Sequence, residues 1–351
     1  MKAKFGGGHT PGGGARREHP ADPALSDIAR AQQKVYDAAR QDVEVTLFEY
    51  IFLGKRPSRR TFGGSKSRGG GAGRMRVGYD TKKSVELKKL TRGLAWASVS
   101  AYIALVMYLA NKAAMDIAND KAADVMADGA TSTAYTFREE YDALPYTEQV
   151  VEALARDHLL TLPQRTVDKQ KDTDWTRRML QSIVTRYGRE DIAPDKLPGM
   201  IARTLVQRCQ QSMDTSTQAL IYGVFDAGMY QAGLDARAAG VDVEKTWLTI
   251  MDSHERDSHH NLHRTTLPMT RLFHGIHGNL RFPHDPNAPA PEIMRCRCRM
   301  AIHLKGKAPS APDRLTRSEV AAYRRWRDKV IDDLGGEVAL EAAHRRRLHG
   351  R

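Results

Sequence analysis

Four side chains in the last third of the chain, His259, His263, Cys296 and Cys298, are of the types that bind a soft or borderline metal ion. Two imidazoles and two thiolates form an N/S set that suits zinc in a closed, tetrahedral structural site, where the ion is held rather than used. The surrounding segment, from Trp247 to Leu304, gathers most of the 13 histidines and two of the 3 cysteines. A competing reading treats the thiols as small buried hydrophobes on a strand face and the imidazoles as local hydrogen-bonding groups. The Cys-x-Cys pair lacks the two-to-four-residue gap usual in zinc ribbons, and the histidines lie roughly thirty residues before it. Spacing alone leaves both readings open.

The elements that would position these groups are readable. From Lys245 to Met251, Trp247, Thr249 and Met251 alternate with Leu248 and Ile250, the period of a strand. A helix is expected next, with Asp252 as its cap and Glu255 completing an acidic capping box. On such a helix Asp252, Arg256, His259 and His263 fall within about a 60° arc, and His260 lies roughly 80° from Asp252. A second strand is predicted from Met294 to Leu304. Met294, Cys296, Cys298, Met300, Ile302 and Leu304 would share one face, with Arg295, Arg297, Arg299 and His303 on the other. Between helix and strand, RFPHDPNAPAPEI reads as loop and turn.

The order Trp247, Asp252, Arg256, His259, Leu262, Phe282-Pro283, Asp285-Pro286, Pro289-Ala290, Glu292 and Cys296-Arg297-Cys298 resembles the phage Mu F-like minor head protein domain, also called the SPP1 head-morphogenesis family. Its D-x-x-x-R-x-x-H opening and closing C-R-C are both present. The resemblance is strong over about sixty residues. Arg295 stands where the family usually has asparagine and Arg264 where a glycine is common, departures that bear on turn geometry and remove no metal ligand. The resemblance implies a virion protein of the head interior or portal vicinity, acting in head morphogenesis and in some cases ejected with the DNA. It also implies the portal protein and the major capsid or scaffolding protein as partners. The family is itself suspected of binding metal through these histidines and cysteines.

The chain has 351 residues, enough for two domains and tails, and its 55 Lys+Arg against 42 Asp+Glu give a net charge of +13. Such an excess favours a polyanion as neighbour, packaged double-stranded DNA among them. Three cysteines make no disulfide framework. No cleavable signal sequence is evident, which predicts a protein made in a reducing cytoplasm. The first 24 residues are rich in Gly and Pro and are expected to be a disordered or docking arm. Ser26 is placed to cap a helix to about Leu53. Between Lys55 and Arg92 stand thirteen Lys or Arg against Asp80 and Glu86 alone. Here Arg59, Arg60, Lys66, Arg68, Arg74 and Arg76 are the candidate phosphate contacts, with a solvated linker as the alternative.

Gly93 to Asn111 has no charged side chain, and its length just reaches a bilayer span. Ala, Ser, Tyr and Trp dilute it and the pattern runs on, so one long bundle helix to about Asp128 is expected rather than a membrane segment. Further helices are predicted from Pro145, over Trp175 to Tyr187 with Gly188 as the stop, and from Pro198 towards Ala239, where Cys209 reads as a core thiol. After a linker, Thr316 and Glu319 form a capping box for a last helix to Leu334 and a basic tail.

The expected fold is α+β and predominantly α-helical. It comprises a flexible basic region over 1–92, a helical domain over 93–240, a small α+β domain over 241–304 and a linker with basic helical tail over 305–351. Phosphate-binding loops, dinucleotide fingerprints, Gly-x-Ser-x-Gly and His-Glu-x-x-His are absent from the sequence. These absences weaken an NTPase, hydrolase or metallopeptidase reading, and the resemblance to the Mu F-like family implies a non-catalytic role. The rivals are a metal-dependent nuclease using His259 or His260 with Asp252, and an independent nucleic-acid-binding protein.

Overall fold

The computed structural model describes residues 19–53, 94–138, 140, 165–190, 192–250, 256–307 and 325. The helix expected at Pro145, the capping box at Thr316, Asp252 and the six candidate DNA contacts from Arg59 to Arg76 lie outside the described residues.

Four helices build the larger part: α1 (Asp22–Leu53), α2 (Leu94–Thr136), α3 (Lys169–Tyr187) and α4 (Leu197–Ala238). In α1, Ile28, Tyr36, Ala39, Val43, Leu47 and Tyr50 recur at helical spacing and are all buried. Ser26 is not its cap: the helix opens at Asp22, and Ser26 Oγ donates to the Asp22 carbonyl inside the first turn at 2.9 Å. Helix α2 runs past the expected end at Asp128. By length and composition it could cross a membrane, but half of its most apolar window is buried in the bundle, Trp96, Val99, Ile103, Met107 and Ala110 among it. Helix α3 is capped by Asp168, whose carboxylate accepts from the Lys171 amide at 2.9 Å, and stops at Gly188.

The main packing is α2 on α4, with α1 lying against both and α3 closing the side. Gly129 of α2 and Gly228 of α4 mark the crossing. A Cβ on Gly129 would stand 2.2 Å from the Phe225 carbonyl oxygen, and one on Gly228 2.0 Å from that of Met126. Buried polar groups tie the bundle crosswise. Gln32 Nε2 donates to Ala114 O and Thr217 Oγ1 at 2.7 and 3.0 Å, and Tyr36 donates to Asn111, which donates to Asp172.

Beyond α4 the chain forms β1 (Val243–Leu248), α5 (Asp257–His260), β2 (Thr266–Pro268), β3 (Phe273–His274), β4 (Asn279–Leu280), α6 (Ala290–Ile293) and β5 (Arg299–Leu304). One antiparallel sheet has the order β2-β1-β5, with Lys245 opposite both Leu267 and Ile302, and β3 and β4 form a separate hairpin. The molecule is thus a predominantly α-helical α+β fold.

Two expected elements are shorter than the sequence suggests. Arg256 is extended (φ −82°, ψ 145°), so the helix holds Asp257–His260 only and ends in a turn at Arg264 with φ 61°. The second strand begins at Arg299 rather than Met294, because Arg295 is left-handed (φ 57°), the Cys296 amide closes a turn on the Ile293 carbonyl, and the Cys296 carbonyl and Cys298 amide bond to side chains instead of a neighbouring strand.

The apolar interior falls into two clusters. The larger runs through the helices and takes in Val243, Met300 and Ile302 of the sheet, whereas Trp247, Leu262, Phe273, Leu280, Ile293, Cys296 and Cys298 form a second, smaller one.

Candidate metal centre

The smaller cluster is where the two ends of the motif meet. β1 brings in Trp247, fully buried, whose ring lies edge-on to His259 and to Phe273 with centroids 5.2 Å away in both cases. The single turn of α5 presents His259. The turn between α6 and β5 presents Cys296 and Cys298, folded back so that the Cys298 amide donates to Cys296 Sγ at 3.4 Å. His259 Nδ1 lies 3.5 Å from Cys296 Sγ and 3.4 Å from Cys298 Sγ, with all three side chains buried. Around one zinc, with Zn–N near 2.1 Å and Zn–S near 2.3 Å, the tetrahedral N···S edge is about 3.6 Å. The spacing of these donors fits such an ion.

The orientation of the ring fits as well. His259 Nε2 stands 2.9 Å from Glu292 Oε2, and a carboxylate can only accept, so Nε2 carries a proton and Nδ1 is the nitrogen turned to the sulphurs, the one that would bind an ion once free of its own proton. Glu292 is itself held by the His277 amide at 2.7 Å. Burial raises its pKa, but the His277 N–H and His259 outweigh this and leave it below the ordinary carboxylate value. Burial also works against the Cys296 thiolate. Hydrogen bonding from Cys298 and the nearby His284 and His259 overcome it, holding the thiol well below its usual pKa. His259 shows the complementary balance: burial lowers its pKa, but Cys296 and Glu292 outweigh this and leave it raised.

The remaining expected site residues fall outside this trio. His263 Nδ1 accepts from the Thr249 amide at 3.1 Å and meets Thr249 Oγ1 at 3.0 Å, a consequence of the helix ending before it. His260 is exposed. Arg256 is a strut: its guanidinium donates to the Met294 carbonyl and, at 3.5 Å, to that of Glu292, tying the start of the motif to the turn before the cysteines.

Residue types alone pointed to these three together with His263, but not to what supports them. A second buried group, His19, Asp226 and His284, lies directly behind Cys296. His284 Nε2 donates to the Cys296 carbonyl at 2.9 Å and Nδ1 lies 2.9 Å from Asp226 Oδ2. Both partners are acceptors, so both ring nitrogens carry protons. Burial alone would lower the His284 pKa, yet Cys296 and Asp226 lift it to about 10. An aspartate at the centre of an otherwise apolar helix face, and a histidine inside Phe-Pro-His-Asp-Pro, were the signals available in the sequence.

Comparison with protein-family models, curated proteins and solved structures finds no match. Among the described residues, the groups able to hold a metal ion are these two.

Proposed function

We propose that this chain is a minor head protein of a tailed phage or prophage, similar to the Mu F-like family. In this reading its C-terminal unit is a non-catalytic docking module stapled by a structural zinc, for which His259, Cys296 and Cys298 supply three of the four ligands of a closed site. The portal and the capsid or scaffolding protein are its neighbours, and the basic segments lie against packaged double-stranded DNA.

One observation carries the reading: the separated pieces of the motif converge. Trp247, Arg256, His259, Glu292, Cys296 and Cys298 all meet in one small core. The two departures from the family pattern support it further. Arg264 and Arg295, where glycine and asparagine are usual, both have positive φ, 61° and 57°, the region those two residues occupy most readily. The backbone therefore suits the family's residues at the places where the sequence lacks them.

Soft thiolates favour a held zinc over a hydrolytic magnesium, which weighs against the nuclease. Elemental analysis tests the staple: about one zinc per chain is expected, lost in the Cys296→Ser, Cys298→Ser double variant. Mass spectrometry of DNA-filled particles from the source tests the role. The chain is expected in those heads and the double variant is expected to be missing from them; particles lacking the wild-type chain would overturn the assignment.

A further inference from the structure

The His19, Asp226 and His284 group has the donors of a second metal site, and two of its buried atoms, His19 Nε2 and Asp226 Oδ1, have no hydrogen-bond partner among the described residues while facing each other across 3.8 Å. The tautomer of His19 argues against an ion there. Its Nδ1 accepts the Ala21 amide at 3.1 Å, so Nε2 carries the proton and offers no lone pair. What the group does instead is connect. His284 holds the Cys296 carbonyl, Asp226 of α4 holds His284, and His19, the residue that leads into α1, is packed behind both. Its ring stacks on Tyr222 at 3.8 Å and meets Phe225 and His284 edge-on at 5.5 and 5.9 Å.

We propose that Asp226 and His284 are positioning residues of the metal centre, and that through them metal loading and the seating of the N-terminal segment at His19 form one coupled equilibrium. The inference rests on the metal reading above. The turn carrying both sulphurs is anchored at the Cys296 carbonyl, and its anchor, His284, is in turn fixed against the bundle. The His284 backbone is left-handed (φ 59°) and its carbonyl abuts Gly223, where a Cβ would stand 2.8 Å away. There is little room for His284 to move without disturbing the rings that seat His19. A metal that orders the turn thereby orders the seat. Displacing His19 frees His284 to leave the turn, and thermodynamic linkage makes the two effects equal in free energy.

The test uses the full chain, reduced, with one equivalent of zinc or with excess chelator. Hydrogen exchange over residues 19–25 is expected to speed up about tenfold on chelation, within the usual range for coupled sites, while α3 stays protected. His19→Ala is expected to weaken zinc binding by the same factor in a chelator competition. Should that variant fail to fold, Tyr222→Leu removes the stacked ring and gives the same reading. Zinc bound with wild-type affinity by the variant, or exchange at 19–25 indifferent to zinc, overturns the coupling alone. No zinc bound by the wild type overturns the centre and the coupling together.

Discussion

Glu292 decides which nitrogen of His259 faces the sulphurs, and does so from outside the ligand set. Replacing it by Gln keeps an acceptor for Nε2–H but removes the charge that strengthens the imidazole as a donor. Loss of such supporting carboxylates costs roughly 10- to 100-fold in metal affinity, and Glu292→Gln is expected near the tenfold end in competition with a chromophoric chelator. Lys245 raises a different question, since it is fully buried on the same strand as Trp247 and, among the described residues, no carboxylate bonds to its Nζ. It donates to the Arg281 carbonyl at 2.6 Å and lies over the rings of Tyr230 and Phe273 at 4.7 and 5.0 Å. Burial brings its pKa down to about 8, against an ordinary 10.5. The unfolded chain then binds more protons than the folded one between those two values. Stability should rise with pH across that window and be level on either side as far as this group is concerned. The difference between wild type and Lys245→Met in urea midpoints from pH 7 to 11 isolates the effect, of order 3 kcal/mol by the pKa difference; parallel curves would mean that the ammonium is better solvated than its burial implies.

The helices owe their geometry to contacts of two kinds, and only one is visible locally. Where α2 crosses α4, the chains touch backbone to backbone at Gly129 and Gly228. Gly228→Ala would gain about 1 kcal/mol of helix propensity, yet it must push α2 away, so a net loss of about 2 kcal/mol is expected, read as a lower midpoint of the helical circular-dichroism signal. Turns respond in the opposite sense. Arg264→Gly and Arg295→Asn relieve left-handed backbone that costs an ordinary side chain roughly 1–2 kcal/mol, and each should raise thermal stability without changing zinc stoichiometry. The long helices were legible in the sequence because their apolar spacing persists over many turns, as from Ile28 to Leu47. Donor type alone named four candidates, His259, His263, Cys296 and Cys298, of which the structure brings all but His263 together. The helix drawn from Asp252 to His263 was not to be had that way. A local capping pattern suggested it, whereas Arg256 is committed to carbonyls 36 and 38 residues away, which keeps its backbone extended. His284 and Asp226 stand 58 residues apart in sequence, and no local periodicity announces such a pair.

In the whole sequence the stretch between α1 and α2 is strongly basic. Residues 55–76 carry eight Lys or Arg and no acid, out of a chain whose net charge is +13. If this stretch neutralises phosphates, its contribution to DNA binding is electrostatic and must appear in the salt dependence, because each phosphate contact adds about 0.9 to the slope of log affinity against log salt. Excising 55–76 is therefore expected to weaken binding to double-stranded DNA irrespective of sequence and to reduce that slope by up to about 7. Zinc stoichiometry should stay unchanged, since the metal ligands lie elsewhere in the chain. The same variant separates the two roles open to a protein of this charge. Normal incorporation into heads with weakened DNA binding makes the arm an accessory to a docking module. Loss of all function with the C-terminal unit intact makes the arm the working part and the metal centre its support. An unchanged slope would move the phosphate contacts away from this stretch altogether, to the cations of the folded body or the two ends of the chain.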